Sequence, residues 1–477
     1  MPGKRPPAAS GPDASSSPSS WASLQADLVR LVGDRLLETG DLLDYVRLRA
    51  VCPHWRSSTP SPSGRGVADA CFHPRRWMML PEGHGLFPGH HKLQGYIRFF
   101  NRSTGAIVRR EIPLLSDHCV LDSADGLLLL HGTATPPSTG DIAELPSLLT
   151  LIRRFSPRFS AERRDSSSTT RRLWAKFRDV TVASVTASAQ GVITVMVALF
   201  RASAVAFATT EDQQWSVADC KLSSRIRRPL PFQGKLYMLD ERKLSDGSNV
   251  TQIFQVEPPR HHVKGSASSS VPPPKSLIAT CPASGTNIPF YLAECDSEIL
   301  LIGLGNPLYS RITLYRLADL MLLGRLVPVT SIGDNILLVS DKVLSVSSRV
   351  LPNVEGNSVV MVNGGNEEAY FGQYQLSSST WSPAADGSIR DHVPSPCSLI
   401  YHIFTCCRPD HWDKGEISFQ VRGNLTWKVK GRITVSSKIC EFTEIRWILD
   451  VAMSKKIENL QLQEMDIDGT ISWSYCS

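Results

Sequence analysis

The stretch VITVMVALFRASAVAFATTEDQQWSVAD, residues 192–219, decides how the bulk of this chain folds. A membrane-spanning helix needs about 18 to 20 uninterrupted apolar residues. The most hydrophobic run here, Val192 to Thr210, is broken by Arg201 and therefore reads as two strands. A polar turn then leads to Trp215 and Asp219, which closes a strand-turn-strand unit.

The same texture extends in both directions. Short apolar runs bounded by turn residues occur in RWMMLP (76–81), GYIRFFNRSTGAIVRREIP (95–113), DGLLLLHG (125–132), GKLYMLDE (234–241) and TQIFQVE (251–257). They continue in EILLIGLG (298–305), RITLYRL (311–317), NILLVSD (335–341), SVVMVNGG (358–365) and YFGQYQLSSSTWSPAADG (370–387). With almost no helical period between them, these runs predict a mainly β domain over residues 71–412. That length exceeds one sandwich but suits a β-propeller, and at about 40–50 residues per blade it predicts about six to eight blades. Internal echoes agree: Phe207 to Asp219 and Tyr374 to Asp386 each run from an apolar strand through a polar turn to a Trp, then to an Asp. In a propeller such tryptophans tie together the outer strands of adjacent blades.

The N-terminal part is different. In LQADLVRLVGDRLLETGDLLDYVRLRAVCPHWR (24–56), Leu24, Leu28, Leu31, Val32 and Leu36 form one helical stripe. Gly40 stops that helix and Asp41 can cap a second one carrying Leu42, Leu43, Val46 and Leu48. A third short helix carries Val51, Cys52 and Trp55, with Pro53 tolerable in its first turn. Three helices in about 33 residues bury too little apolar surface to stand alone and need a partner surface.

These residues resemble the F-box, whose pattern is Leu-Pro, spaced leucines, then Val-Cys, two variable residues and Trp-Arg. Leu24, Leu28, Val32, Leu36, Val51, Cys52, Trp55 and Arg56 fall on it, and DYVRLRAVCPHWR is similar to the longer variant common in grasses. Gln25 stands where proline is usual and Pro53 where a basic residue is common, yet every apolar anchor is kept. The larger domain resembles the plant KIB-type β-propeller over about residues 70–412. The resemblance is carried by STGDIAELP (138–146), VAFATTEDQQWSVAD (205–219), RPLPFQGKLYMLD (228–240), LGRLVPVTSIGDNILLVSDKVLSVSSRVLPNVEGNSVVMVN (323–363) and FGQYQLSSSTWSP (371–383).

The remaining segments read as follows. Residues 1–20, rich in Pro, Ser, Gly and Ala, form a disordered tail. Residues 21–57 are the F-box helices, and 58–70 a linker or a long loop of one continuous domain. Residues 153–172, with seven arginines against Glu162 and Asp165, read as a solvated loop, with a phosphate or acidic-peptide contact as the alternative. Residues 258–275 are low-complexity and expected to be disordered. Beyond residue 412, strands are expected from Glu416 to Ile439 and an amphipathic helix from Thr443 to Leu462, through Ile445, Ile448, Leu449, Ala452, Ile457 and Leu460.

Composition narrows the function. The chain of 477 residues is 42% hydrophobic and 20% charged, a normal globular composition. Its net charge of +6 is modest and scattered, so no nucleic-acid partner is expected. Nor is a membrane partner. Eleven cysteines without a C-x-x-C pair or a secretory leader indicate reduced thiols in cytoplasm or nucleus.

Catalytic signatures are sparse. His402, Cys406, Cys407 and His411 have zinc-type side chains, but adjacent cysteines on a strand point to opposite faces, so no metal is expected. No G-x-S-x-G elbow, H-E-x-x-H helix or P-loop occurs. Asp117, Asp122, Asp125, Glu294, Asp296 and Glu298 would furnish a glycosidase pair only if the fold brought two of them together. No catalytic residue and no cofactor is expected.

The resemblances imply a non-catalytic adaptor of a Skp-cullin-F-box ubiquitin ligase. Leu24, Leu28, Leu31, Val32, Leu36, Leu42, Leu43, Val51 and Cys52 would dock on a Skp-family adaptor and through it a cullin. Trp55 would pack within the F-box, and the propeller would hold a protein substrate through residues the sequence does not name. The rivals are a propeller enzyme or small-molecule-binding protein with merely structural helices, and an F-box scaffold outside any ligase.

Overall fold

Glycine and aspartate set the first boundaries of the fold. In the computed structural model, α1 (Ala26–Glu38) ends at Gly40, whose φ of +74° is a left-handed conformation that costs glycine little. The Asp41 carboxylate then accepts the Asp44 N–H at 3.2 Å and caps α2 (Leu42–Ala50). Pro53 is the first residue of α3 (Pro53–Ser58), where its missing N–H costs no helical hydrogen bond. Val29, Tyr45 and Leu48 are buried between the helices, and Gly33 lets the Tyr45 ring approach, since a Cβ there would lie 3.1 Å from it.

The structure describes residues 21–400 except 81–94, 117, 133–140, 149, 152–180, 189–190, 200–203, 220–227, 244–248, 260–274, 282–286, 306–310, 352–353, 364–369 and 385–399. After residue 400 it describes 403–404, 407, 417–420, 425–429, 433–437, 460–466 and 469–475. The expectations for residues 1–20, 153–172 and nearly all of 258–275 therefore lie outside the described residues.

Strands fill the rest, in seven sheets. Sheet 1 has three strands (Trp77–Met79, Tyr96–Asn101, Ile107–Glu111) and sheet 2 has two (His118–Ala124, Leu127–Gly132). Sheets 3, 4 and 5 each have four antiparallel strands in sequence order, over 181–219, 230–281 and 287–329. Sheet 6 has five over 335–383, and sheet 7 has five over 417–475. The stretch that separates strand from membrane span resolves as two strands, Ile193–Leu199 and Ala204–Thr209, paired antiparallel with Val195 opposite Ala208. Every residue of both strands is buried, which explains a continuous apolar run rather than an alternating one.

Six apolar clusters close sheets 1 to 6 on one another. Met79 and Ile97 of sheet 1 meet Val120 of sheet 2; Leu121 of sheet 2 meets Val195 and Val197 of sheet 3. Phe207 meets Met238 between sheets 3 and 4, Ile253 meets Leu301 between sheets 4 and 5, and Ile302 meets Val359 between sheets 5 and 6. The last cluster returns from Ile336 and Phe371 of sheet 6 to Phe100 of sheet 1. Face-to-face burial between successive sheets is the propeller arrangement.

Three expectations need correction. Among the described residues five sheets have the four or more strands of a full blade, fewer than the six to eight expected, because sheets 1 and 2 stop at three and two strands and long connections consume length; four of the five are sheets 3 to 6 of the ring and the fifth is sheet 7. Leu317 does not end a strand; it begins α4 (Leu317–Leu323), whose two turns are too short to show a helical period in the sequence. At the C-terminal end, Leu460–Asp466 is a strand rather than the end of a helix, paired with Gly469–Tyr475. Residues 443–459 lie outside the described residues.

The two tryptophans of the repeats do different work. Trp215 is buried, and its indole N–H donates to the Pro146 carbonyl at 2.7 Å, joining sheet 3 to the segment after sheet 2. Trp381 instead packs edge-on against Tyr374 of its own sheet, 5.2 Å between ring centroids.

Candidate functional site

Helix α1 carries two apolar faces, and only one is used inside the protein. Val29 is 1% exposed and Gly33 is buried, whereas Leu28, Leu31 and Val32 are 46%, 65% and 45% exposed. The exposed trio has i, i+3, i+4 spacing and so forms one outward stripe. Val51 after α2 is 59% exposed as well. Leu24, Leu36, Leu42, Leu43 and Cys52 are partly covered. The Cys52 Sγ also accepts the Trp55 N–H at 3.4 Å, so it caps α3 while offering little of itself to a partner. Val46, absent from the expected anchors, is 43% exposed on α2; its i+4 spacing from Leu42 was the available signal.

Trp55 and its neighbours hold the three helices together. The Trp55 indole N–H donates to the Trp21 carbonyl at 3.2 Å, and a ring nitrogen of His54 bonds the Leu24 carbonyl at 2.8 Å, so α3 clasps the entry to α1. From α2, Arg49 donates to the carbonyls of Arg56, Thr59 and Pro60, and the Tyr45 hydroxyl donates to the Pro60 carbonyl at 2.7 Å.

The stretch 58–70 is pinned to the propeller. Asp141 accepts the N–H groups of Gly64 and Gly66, each at 3.1 Å. Asn101 of sheet 1 donates to the second oxygen of Asp41 at 3.4 Å in a buried setting, and the Tyr45 and Phe72 rings lie 5.9 Å apart. The helical unit and the ring therefore share hydrogen bonds and apolar contacts on both sides of the connection.

A second feature is a cleft at the hub of the ring. It is an open space of about 830 Å³, its mouth included, and it adjoins a smaller recess that shares Leu230, Pro231, Lys342 and Val343 with it. All six sheets of the ring contribute walls. The charged residues are Arg75, Arg102, Arg228 and Lys342 against Asp122, Asp125, Glu294 and Asp341. Of the acidic residues singled out in the sequence, Asp122, Asp125 and Glu294 thus come to the hub. Asp296 instead accepts from Asn335 at 2.7 Å, Glu298 pairs with Arg316 at 2.9 Å, and Asp117 lies outside the described residues.

The hub carboxylates do not form a uniform acidic wall. Asp122 is buried and accepts the Ala183 N–H at 2.8 Å, and Glu294 lies 3.9 Å from Arg102. Cys407, the described member of the His402, Cys406, Cys407, His411 set, is buried at the cleft floor, and burial pushes its thiol up to about 12. It stays protonated at neutral pH, the wrong form for a nucleophile. Among the described residues no three His, Cys, Asp or Glu side chains gather as a metal site, and no helix is long and apolar enough to cross a membrane.

The KIB1-4 β-propeller family model matches residues 99–377, more than half of the 477. The chain belongs to this family. The KIB1-4 match is narrower than the expected 70–412, running from the second strand of sheet 1 into sheet 6, so helices α1–α3 and sheet 7 lie outside it. No curated protein and no solved structure gives a significant match.

Proposed function

We propose that the chain is a substrate-recognition subunit of a Skp-cullin-F-box ubiquitin ligase. Its N-terminal helices dock on a Skp-family adaptor, and the KIB1-4 β-propeller binds a protein substrate. The observation that carries this reading is the outward stripe Leu28, Leu31 and Val32, with Val46 and Val51, on a three-helix unit whose interior is already filled by Val29, Tyr45 and Leu48. Large apolar side chains left in water cost about 25 cal/mol per Å² and are covered by a partner when grouped on one helix face. The F-box resemblance of Leu24 to Arg56 supplies the partner's identity.

In this role the chain performs no chemistry. It raises the effective concentration of substrate lysines near a charged conjugating enzyme held by the cullin, a task that depends on geometry. The contacts of Asp41 with Asn101 and of Asp141 with Gly64 and Gly66 suit that task, since they join docking face and propeller without a free hinge. Such a ligase works in the cytoplasm or nucleus, where the free cysteines at 52, 71, 119, 281, 295 and 407 would remain reduced.

The test is capture of a plant Skp-family adaptor by purified full-length chain and by the chain lacking residues 21–57. Capture only by the full-length chain supports the reading. No capture by a folded full-length chain removes it.

A further inference from the structure

Two cations of the hub cleft, Arg228 and Lys342, have no ion pair among the described residues. Lys342 and Arg228, both half-buried, spend one donor each on backbone carbonyls: Lys342 Nζ on Ser123 at 3.2 Å, and the Arg228 guanidinium on Thr181 at 3.3 Å. Neither has an ion pair among the described residues, although both line the smaller recess. Arg102, in the larger part of the cleft, lies 3.9 Å from Glu294 and donates to the Arg75 carbonyl at 3.0 Å, and exposed Arg75 donates to the Ala70 carbonyl.

Carbonyls orient these groups without cancelling their charge, so two partly desolvated cations line one recess with donors that no described residue takes up: two on the ammonium, four on the guanidinium. A half-buried cation without a counter-ion is costly, and an anion entering the recess recovers that cost through charge-assisted hydrogen bonds. Two carboxylates also line the recess, and among the described residues neither forms an ion pair with these cations. Asp122 is engaged by the Ala183 amide, and Asp341 is exposed at the recess edge, beyond ion-pair distance of either cation. In the wall of the larger part, the buried Trp77 indole N–H also lacks an acceptor.

We propose that this recess is the substrate-anchoring site of the propeller, and that it takes an anionic side chain, a carboxylate or a phosphate, presented on an exposed segment of a protein. Arg228 and Lys342 hold the anion, and the mixed-polarity cleft above accommodates the flanking chain. The proposal rests on the adaptor reading for the word substrate, but its binding chemistry does not.

The experiment is a fluorescence-anisotropy titration of the full chain with three labelled, capped peptides of one Gly-Ser framework, carrying Glu-Glu-Glu, Gln-Gln-Gln or a single phosphoserine. The expected result is binding of the Glu or phosphoserine peptide but not the Gln peptide, weakening as salt is raised. A preference between the two anionic probes identifies the source of the anion. Arg228→Gln combined with Lys342→Gln lowers affinity for the bound probe about tenfold or more. Asp341→Asn, an exposed change with no folding cost, tightens it severalfold by removing a like charge. Equal binding of the Gln peptide, no binding of any peptide, or an unchanged affinity in both Asp341→Asn and a folded double variant overturns the proposal. Adaptor capture by the same preparation is scored separately, so loss of this site and loss of the adaptor reading are distinguishable.

Discussion

Val29 and Val32 lie three residues apart on α1 and are chemically identical, yet the fold assigns them opposite tasks. Val29 is 1% exposed among Tyr45 and Leu48, whereas Val32 is 45% exposed on the outward stripe. Val29→Ala removes two buried carbons, worth about 1.6 kcal/mol in transfer free energy at about 0.8 kcal/mol per CH₂, plus a cavity term. The total loss is about 2–3 kcal/mol from the helical unit, read by hydrogen exchange as a drop of about 30- to 150-fold in protection of the α1 amides. Val32→Ala already has nearly half its surface in water and leaves no enclosed cavity, so it costs under about 1 kcal/mol of stability. If Val32 is a central anchor for the adaptor, the same change weakens adaptor binding by about 1–3 kcal/mol, or about 5- to 150-fold in Kd. Hydrogen exchange on both variants, with calorimetric titration of a Skp-family adaptor, separates the two effects. Equal loss of protection in both variants would refute the placement of the two faces. Unchanged adaptor affinity for both Leu28→Ala and Val32→Ala, and for the pair, would refute the docking role.

Two further predictions concern the ring. Gly126 sits in the turn between the strands of sheet 2 at φ +81°, and a Cβ there would lie 2.4 Å from the Pro74 carbonyl oxygen, so Gly126→Ala should destabilise the fold by about 2 kcal/mol or more; an unchanged urea midpoint would contradict that contact. His131 on sheet 2 is held neutral: burial first, then the nearby charge of His118, lowers it to about 4. Its folded value is below the unfolded one of about 6.5, so its contribution is fully present above pH 6.5 and lost as pH falls towards 4, because the unfolded chain then binds the proton the native one refuses. Allowing for partial exposure, the loss is about 2 kcal/mol. Urea midpoints measured from pH 7 down to 4 should fall, and His131→Gln should flatten that decline; a decline equally steep in the variant would assign it to other groups.

The sequence by itself determined the strand content, because strands such as Ile193–Leu199 are runs of β-branched and apolar residues whose pattern is local. It also determined the helix boundaries at Gly40, Asp41 and Pro53, because capping and φ preferences act within a few residues. The helix α4 was not legible, since two turns carry too little periodicity, and the blade count was not, since length does not reveal which segments pair. Tertiary structure alone decided which apolar face of α1 is spent: Leu28 and Val29 are adjacent and equally hydrophobic, and only Tyr45 packing over Gly33 sends Val29 inward. It alone gathered Arg228 and Lys342, 114 positions apart in the sequence, into one recess, because closing the ring depends on long-range pairing between sheets that no local pattern encodes.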